Sequence, residues 1–137
     1  MKSEQAQAAA EIRKGLKARG IKARVTSTSA SMTSSVDVTI NQDVTPEERN
    51  ELESFCNKYQ YGHFDGMTDC YEYSNTNENV PQAKFVFVRV DYSDEIKAEA
   101  AAYIANINGI EEWKRDQYVY MVIMGSWGDF WNERAAA

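Results

Sequence analysis

The sequence is short of most residues that catalysis and covalent cross-linking draw on. It has one histidine and two cysteines in 137 residues. Cys56 and Cys70 are too few for a disulfide framework. They also lack the CxxC spacing of zinc ribbons and thiol oxidoreductases. Both are expected as free thiols in a reducing compartment. Proline occurs only twice, so there is no Pro-rich linker. No apolar run approaches the roughly 18 residues of a membrane span. The opening Met1-Lys2-Ser3-Glu4-Gln5 has no apolar stretch of the secretory type. These absences predict a cytoplasmic protein with no membrane partner. Neither GxGxxG nor GxxxxGK[ST] occurs, which removes nucleotide-loop chemistry.

What is present is enough apolar matter for a core: 43% hydrophobic and 12% aromatic residues, with 26% charged. The length predicts a single α+β domain over 1–134, with 135–137 as a disordered tail. Net charge is −6 and unevenly spread. Residues 1–25 hold seven cations against Glu4 and Glu11, a local excess of +5, which leaves −11 on the remainder. A basic first element on an acidic body is a marked asymmetry.

Residues 3–19 read as a helix capped by Ser3, with Ala8, Ile12, Gly15 and Leu16 as its apolar stripe and Gly20 as its stop. Ile21, Ala23 and Val25 alternate with polar residues, as do Val36, Val38 and Ile40, which predicts two strands of an antiparallel hairpin. The Ser/Thr-rich stretch Ser27–Ser35 reads as the loop between them. Thr45-Pro46-Glu47-Glu48 is a capping box opening a helix that buries Leu52, Phe55, Cys56 and Tyr59. Gly62 and Gly66 allow positive φ in the turn that follows, and Asp65-Gly66 is a turn signal. A short strand is predicted at 69–74. A second, at 83–91, is apolar on both faces and therefore expected at the centre of the sheet. Ser93 caps a third helix with Ile96, Ala100, Tyr103, Ile104 and Ile107 on its stripe, and Asn108-Gly109 ends it. Tyr118–Met124 is read as a last strand. The order α-β-β-α-β-β-α-β predicts a two-layer sandwich. Its sheet is mainly antiparallel, with four to five strands, and carries three helices.

Chemistry-bearing clusters are few. His63, Asp65 and Asp69 could serve a divalent metal or acid–base work, but their spacing matches no closed site. Asp65 more simply bonds turn amides, as Asx residues do. Phe64 and Met67 are expected to plug the edge of the core. Cys70 with His63 offers a thiol and a base, with no third group to orient them. No cofactor or metal is therefore expected, and no enzyme activity.

Two binding surfaces stand out. Trp127, Phe130 and Trp131, with the acidic Asp129, Glu111 and Glu112, would suit a protein partner: rings as anchors and charges for steering. Arg13, Lys14, Lys17, Lys22 and Arg24 would suit phosphates, against the repulsion of a net negative chain.

The segment Gly62-His63-Phe64-Asp65-Gly66-Met67-Thr68-Asp69, taken with Ala9-Ala10-Glu11-Ile12-Arg13-Lys14-Gly15-Leu16-Lys17, resembles the twenty-ninth of the large polyvalent protein-associated domains. In that family an IRKxLK-type helix precedes a strand, a Ser-rich turn, an alternating strand like Ser35-Val36-Asp37-Val38, and a Phe-Asp-Gly-Met-x-Asp turn. The resemblance covers roughly residues 8–75. It implies an origin in phages or conjugative elements, and counter-defence, without supplying catalytic residues. The expectation is an accessory protein that binds a host defence protein or complex in a bacterial cytoplasm. It would inhibit in the anti-CRISPR or anti-restriction manner, by covering a nucleic-acid or subunit site. The alternative is a nucleic-acid-binding accessory module that uses the basic helix and strand.

Overall fold

Helix α1 (Glu4–Ala18) forms where the sequence places its cap and its stripe. Ser3 is extended, and its Oγ accepts the Ala6 N–H at 3.4 Å. Ala8, Ala9, Ile12 and Leu16 are buried on one face, and Gly20 leaves the helix at φ +73°. The computed structural model describes residues 3–30, 33–68, 70–107 and 109–136. These residues cluster into two compact units. One comprises Met1–Gln42 and Glu51–Asp91, the other Asp43–Asn50 and Tyr92–Ala137.

The first unit holds a three-stranded sheet of β1 (Ala23–Ala30), β2 (Thr33–Ile40) and β5 (Phe85–Val90), in the order β1-β2-β5. β1 and β2 pair antiparallel from Ala23↔Ile40 to Ala30↔Thr33. The expected loop Ser27–Ser35 is therefore largely strand, and only residues 31 and 32 of it lie outside the described ones. Ser and Thr there face a partner strand, and a β-branched or small polar residue suits a pleated surface with one wet side. β5 pairs parallel to β2, from Ser35↔Phe85 to Ile40↔Val90. It is an edge strand, and the expected central position belongs to β2.

Strand alternation sorts the sheet into two faces. Val36, Val38 and Ile40 are fully buried, with Val86, Val88 and Val90 beside them in register. α1 packs over β1 and β2. The end of helix α2 (Pro46–Asn57) lies against α1, because Gly15 has no Cβ to obstruct the Phe55 ring. A second small sheet pairs β3 (His63–Asp65) with β4 (Cys70–Glu72) antiparallel.

The second unit is helical: α3 (Asp94–Ala105), a 3-10 turn over Glu112–Lys114, α4 (Arg115–Ile123) and α5 (Phe130–Ala136). The expected strand Tyr118–Met124 is helix α4 up to Ile123. Its run of Tyr and Val carries β propensity, but Val122 and Ile123 close on Ile96, Ala100, Ile104 and Phe130 in one core. Tertiary burial outweighs propensity in such a segment. Residues 135 and 136 of the expected disordered tail continue α5. The capping boxes stand as the sequence predicts. Thr45 and Glu48 exchange N–H bonds at 3.2 Å each, and the Ser93 Oγ accepts the Ile96 N–H.

In total the fold is α+β with five α-helices and two small sheets among the described residues, against the predicted three helices and one sheet of four to five strands.

Candidate functional site

The hairpin β3–β4 collects the residues that the sequence singles out. Gly62 enters it without using the positive φ that glycine allows; a Cβ there would collide with the Glu72 carbonyl and the Tyr71 ring. Asp65 Oδ1 accepts the Met67 N–H at 2.9 Å. That bond is the chief reason the Asp65 carboxyl is held below the ordinary carboxylate range. The turn therefore closes as an Asx turn, as predicted. Its apolar residues do not plug a core edge: Phe64 is 53% and Met67 97% exposed. With Gly66, they stand at the tip of a short two-stranded sheet that has nowhere to bury them.

His63 is engaged by residues other than those expected. Its Nδ1 lies 2.7 Å from Ser74 Oγ, and its Nε2 lies 3.3 Å from Glu72 Oε2. Its ring nitrogens thus meet Ser74 and Glu72, not Cys70. Asp65 is committed to the turn, and Asp69 lies outside the described residues. A hydroxyl, an imidazole and a carboxylate in sequence are the parts of an activated serine. Here His63 and Glu72 are each half exposed and face each other across the strand pair, so the arrangement staples the hairpin in water. Among the described residues no three His, Cys, Asp or Glu side chains converge as metal ligands. Cys70 is exposed, whereas Cys56 is buried, and that burial pushes its thiol up to about 11.

From the hairpin a continuous run of rings leads onto the sheet. Tyr61 and Tyr73 stack at 5.4 Å, Tyr73 meets Tyr71 at 5.2 Å, Tyr71 meets Phe85 at 5.6 Å, and Phe85 stacks on Phe87 at 5.6 Å. The Tyr71 hydroxyl donates to the Lys84 carbonyl at 2.6 Å. Burial raises that phenol to about 12, with Tyr61 and Tyr73 adding to the shift. In the sequence Tyr61, Tyr71 and Tyr73 show as an aromatic cluster around the central turn, with Tyr71 and Tyr73 expected in the core, whereas the continuation of the run through Phe85 and Phe87 goes unseen. The alternation Phe85, Phe87, Arg89 was visible there, but not that this face of the sheet is bare.

Of the five expected phosphate ligands, Arg13, Lys17 and Lys22 line one hollow between α1 and the start of β1, and Arg24 lies apart from it. Arg13 donates to the Val25 carbonyl at 2.7 Å and so fastens α1 to β1. Lys14 and Lys17 stay exposed on α1, and Lys22 follows at the start of the β1 edge. Arg24 lies on the opposite face of the sheet, where it lines a hollow with Asp37, Thr39 and Arg89.

The rings expected to grip a partner are built into the second unit. Phe130 is buried, and Trp127 and Trp131 are half buried against the same core. The Trp131 Nε1–H donates to the Ile123 carbonyl at 2.9 Å, and Tyr118 meets Trp127 edge-on. Gly125 and Gly128, both at positive φ, let this segment turn back. A Cβ on Gly125 would strike Pro46, and one on Gly128 would strike the Tyr103 hydroxyl. Asp129, Glu111 and Glu112 are exposed. The exposed ring beside the last two is Trp113, 75% exposed with the Lys114 ammonium 4.9 Å from its centre, and Tyr120 follows at 64%. The sequence signal was there to be read: Glu111-Glu112-Trp113-Lys114 sets a large ring among charges, the context of a surface aromatic.

Charge follows the division into units. The first unit has ten basic and ten acidic residues, and the second has five against eleven. The whole net charge of −6 resides in the second unit.

A bare-faced sheet, an exposed hairpin tip and an acidic helical unit with an exposed tryptophan define a small α+β protein built around surfaces. The chain belongs to the family described as large polyvalent protein associated domain 29, whose model matches residues 3–103. That family is associated with polyvalent proteins of phages and other mobile elements. The match extends the resemblance seen in the sequence through β5 and nearly to the end of α3. No curated protein and no solved structure matches the chain. No helix among the described residues is long and apolar enough to cross a membrane.

Proposed function

We propose that this is a non-catalytic accessory protein of a mobile element that binds a host protein through its acidic helical unit. The carrying observation is Trp113, 75% exposed, directly after the exposed Glu111 and Glu112 on the unit that holds the entire net charge. Tryptophan is enriched among the energetic anchors of protein interfaces, and the unit's excess of eleven acidic over five basic residues speeds encounter with a basic surface. Basic grooves of this kind are where defence complexes hold nucleic acid or join subunits. Covering one would inhibit an effector of the CRISPR or restriction type. Residues 104–137 lie beyond the family match, so this surface would be the chain's own addition to a shared scaffold.

The test is an affinity capture of the full chain from a bacterial host lysate, with and without nuclease, repeated with Trp113→Ala. A stoichiometric protein that survives nuclease and is lost with Trp113→Ala supports the reading. A protein retained equally by the variant, or none at all, removes it.

A further inference from the structure

The bare face of the three-stranded sheet is ordered in three cross-strand rows. Register places Thr28, Ser35 and Phe85 in the first, Thr26, Asp37 and Phe87 in the second, and Arg24, Thr39 and Arg89 in the third. Phe85 and Phe87 stack on each other with planes 10° apart, and Phe87 is 52% exposed. Beyond Phe85 the rings continue through Tyr71 to Tyr73, which is 68% exposed. Cations border this track along its length. The Lys84 ammonium lies 5.1 Å from the Tyr71 ring and 5.7 Å from that of Phe85, while Arg24 and Arg89 occupy the far row. Two carboxylates are near: Asp37, 3.8 Å from Arg89, and Asp91, which lines the same hollow as both arginines.

We propose that this face binds single-stranded nucleic acid, with bases on Phe87, Phe85 and Tyr73 and phosphates on Arg24, Arg89 and Lys84. A flat ring accepts any base, so such a track is tolerant of sequence. Hydroxyls at Thr26, Thr28 and Thr39 surround the rings with donors that suit sugars and base edges. The pair of exposed Arg89 with half-buried Asp37 is long at 3.8 Å, and its arginine side, open to water, yields to a phosphate at little cost. The unit carrying this face is neutral, so the repulsion expected from the overall charge is not centred on it. A duplex hides its bases and offers the rings nothing to stack on. No residue of this face belongs to the surface proposed for a protein partner.

Fluorescence anisotropy of labelled dT12, U12 and a 12-base-pair duplex, titrated with the full chain, tests the assignment. One or both single strands bind, the duplex binds more weakly, and the dT12 and U12 arms separate DNA from RNA. Phe87→Ala weakens binding about tenfold, the cost of one stacked base, and Arg89→Glu weakens it further. Three neutralised phosphates give a slope of about −2 in log affinity against log salt, or roughly 20-fold between 50 and 200 mM. Circular dichroism of each variant guards against misfolding, and Arg24→Glu provides an independent substitution on β1. The proposal is overturned by no binding to either strand, by equal or tighter duplex binding, or by full affinity in Phe87→Ala and Arg24→Glu. It is equally overturned if Lys14→Glu with Lys17→Glu abolishes binding while the sheet variants retain it.

Discussion

Asp65 and Met67 meet across a turn in opposite senses: the Asp65 carboxylate takes the Met67 N–H at 2.9 Å, while the Met67 side chain stands 97% in solvent. Backbone order and side-chain exposure at one residue make Met67 the most accessible of the described methionines, because Met121 and Met124 are half buried. Brief exposure to dilute peroxide should oxidise Met67 well ahead of those two, read by peptide mass spectrometry. Met67→Ala should leave the melting temperature unchanged, as exposed substitutions generally shift stability by less than about 0.5 kcal/mol.

Gly62 admits no larger residue. Its missing Cβ makes room for the Glu72 carbonyl and the Tyr71 ring, and a backbone oxygen cannot rotate away. Gly62→Ala should cost about 1–3 kcal/mol, the range of overpacking. It should also disturb the hairpin before the rest of the unit, seen as accelerated amide exchange over 63–72.

The two thiols should behave as opposites. Cys70 is exposed and Cys56 buried, so a thiol reagent at pH 8 should label one site per native chain and two per unfolded chain. The Cys56 thiol is pushed from its ordinary value of 9.0 to about 11 by burial. A group raised in the folded state favours folding fully below its unfolded value and loses that contribution as pH rises through the folded one. Stability should therefore decline between about pH 9 and 11, and Cys56→Ala should flatten that decline even while lowering stability at neutral pH.

Phe130 sits in the core with Ile96, Ile104 and Val122. Phe130→Ala should destabilise by about 3–5 kcal/mol, read by denaturant melts. Trp113→Ala, with its ring 75% exposed, should leave those melts in place. The contrast separates rings that hold the second unit together from the ring assigned to a partner.

Thr45→Ala removes one half of a reciprocal cap in which each N–H bond measures 3.2 Å. The expected loss is about 1 kcal/mol, with Thr45→Ser restoring most of it.

Local chemistry made several element starts legible in both units. Ser3, the Thr45–Glu48 box and Ser93 each declare a helix start through bonds that span three residues, and the Val36–Ile40 alternation declares a face. What a window of sequence does not carry is which strand ends up at an edge. β5 reads as central because both its faces are apolar, yet its outer face is a ring track left uncovered. Tyr118–Met124 failed for a related reason: its propensity points to a strand, while its partners for burial lie on α3 and α5. The candidate site divides the same way. Asp65 was readable as a turn residue, since its partner is two positions on. Ser74 and Glu72 were not readable as the partners of His63, because only the hairpin register brings them together. Trp127, Phe130 and Trp131 were recognisable as anchors, but whether they grip a partner or their own unit depends on helices elsewhere in the chain.

The parallel pairing of β2 with β5 joins Ser35 to Phe85 and Ile40 to Val90, fifty positions apart in each case. During synthesis the β1–β2 hairpin can form as soon as it leaves the ribosome, whereas its third strand is not yet made. At translation rates of about 5–20 residues per second, the hairpin waits several seconds with one edge of β2 open. The face formed by Phe85, Phe87, Arg24 and Arg89 comes into being only when β5 closes that edge. A nascent chain halted before residue 85 would carry the basic helix and the hydroxyl-rich hairpin but no ring track on the sheet.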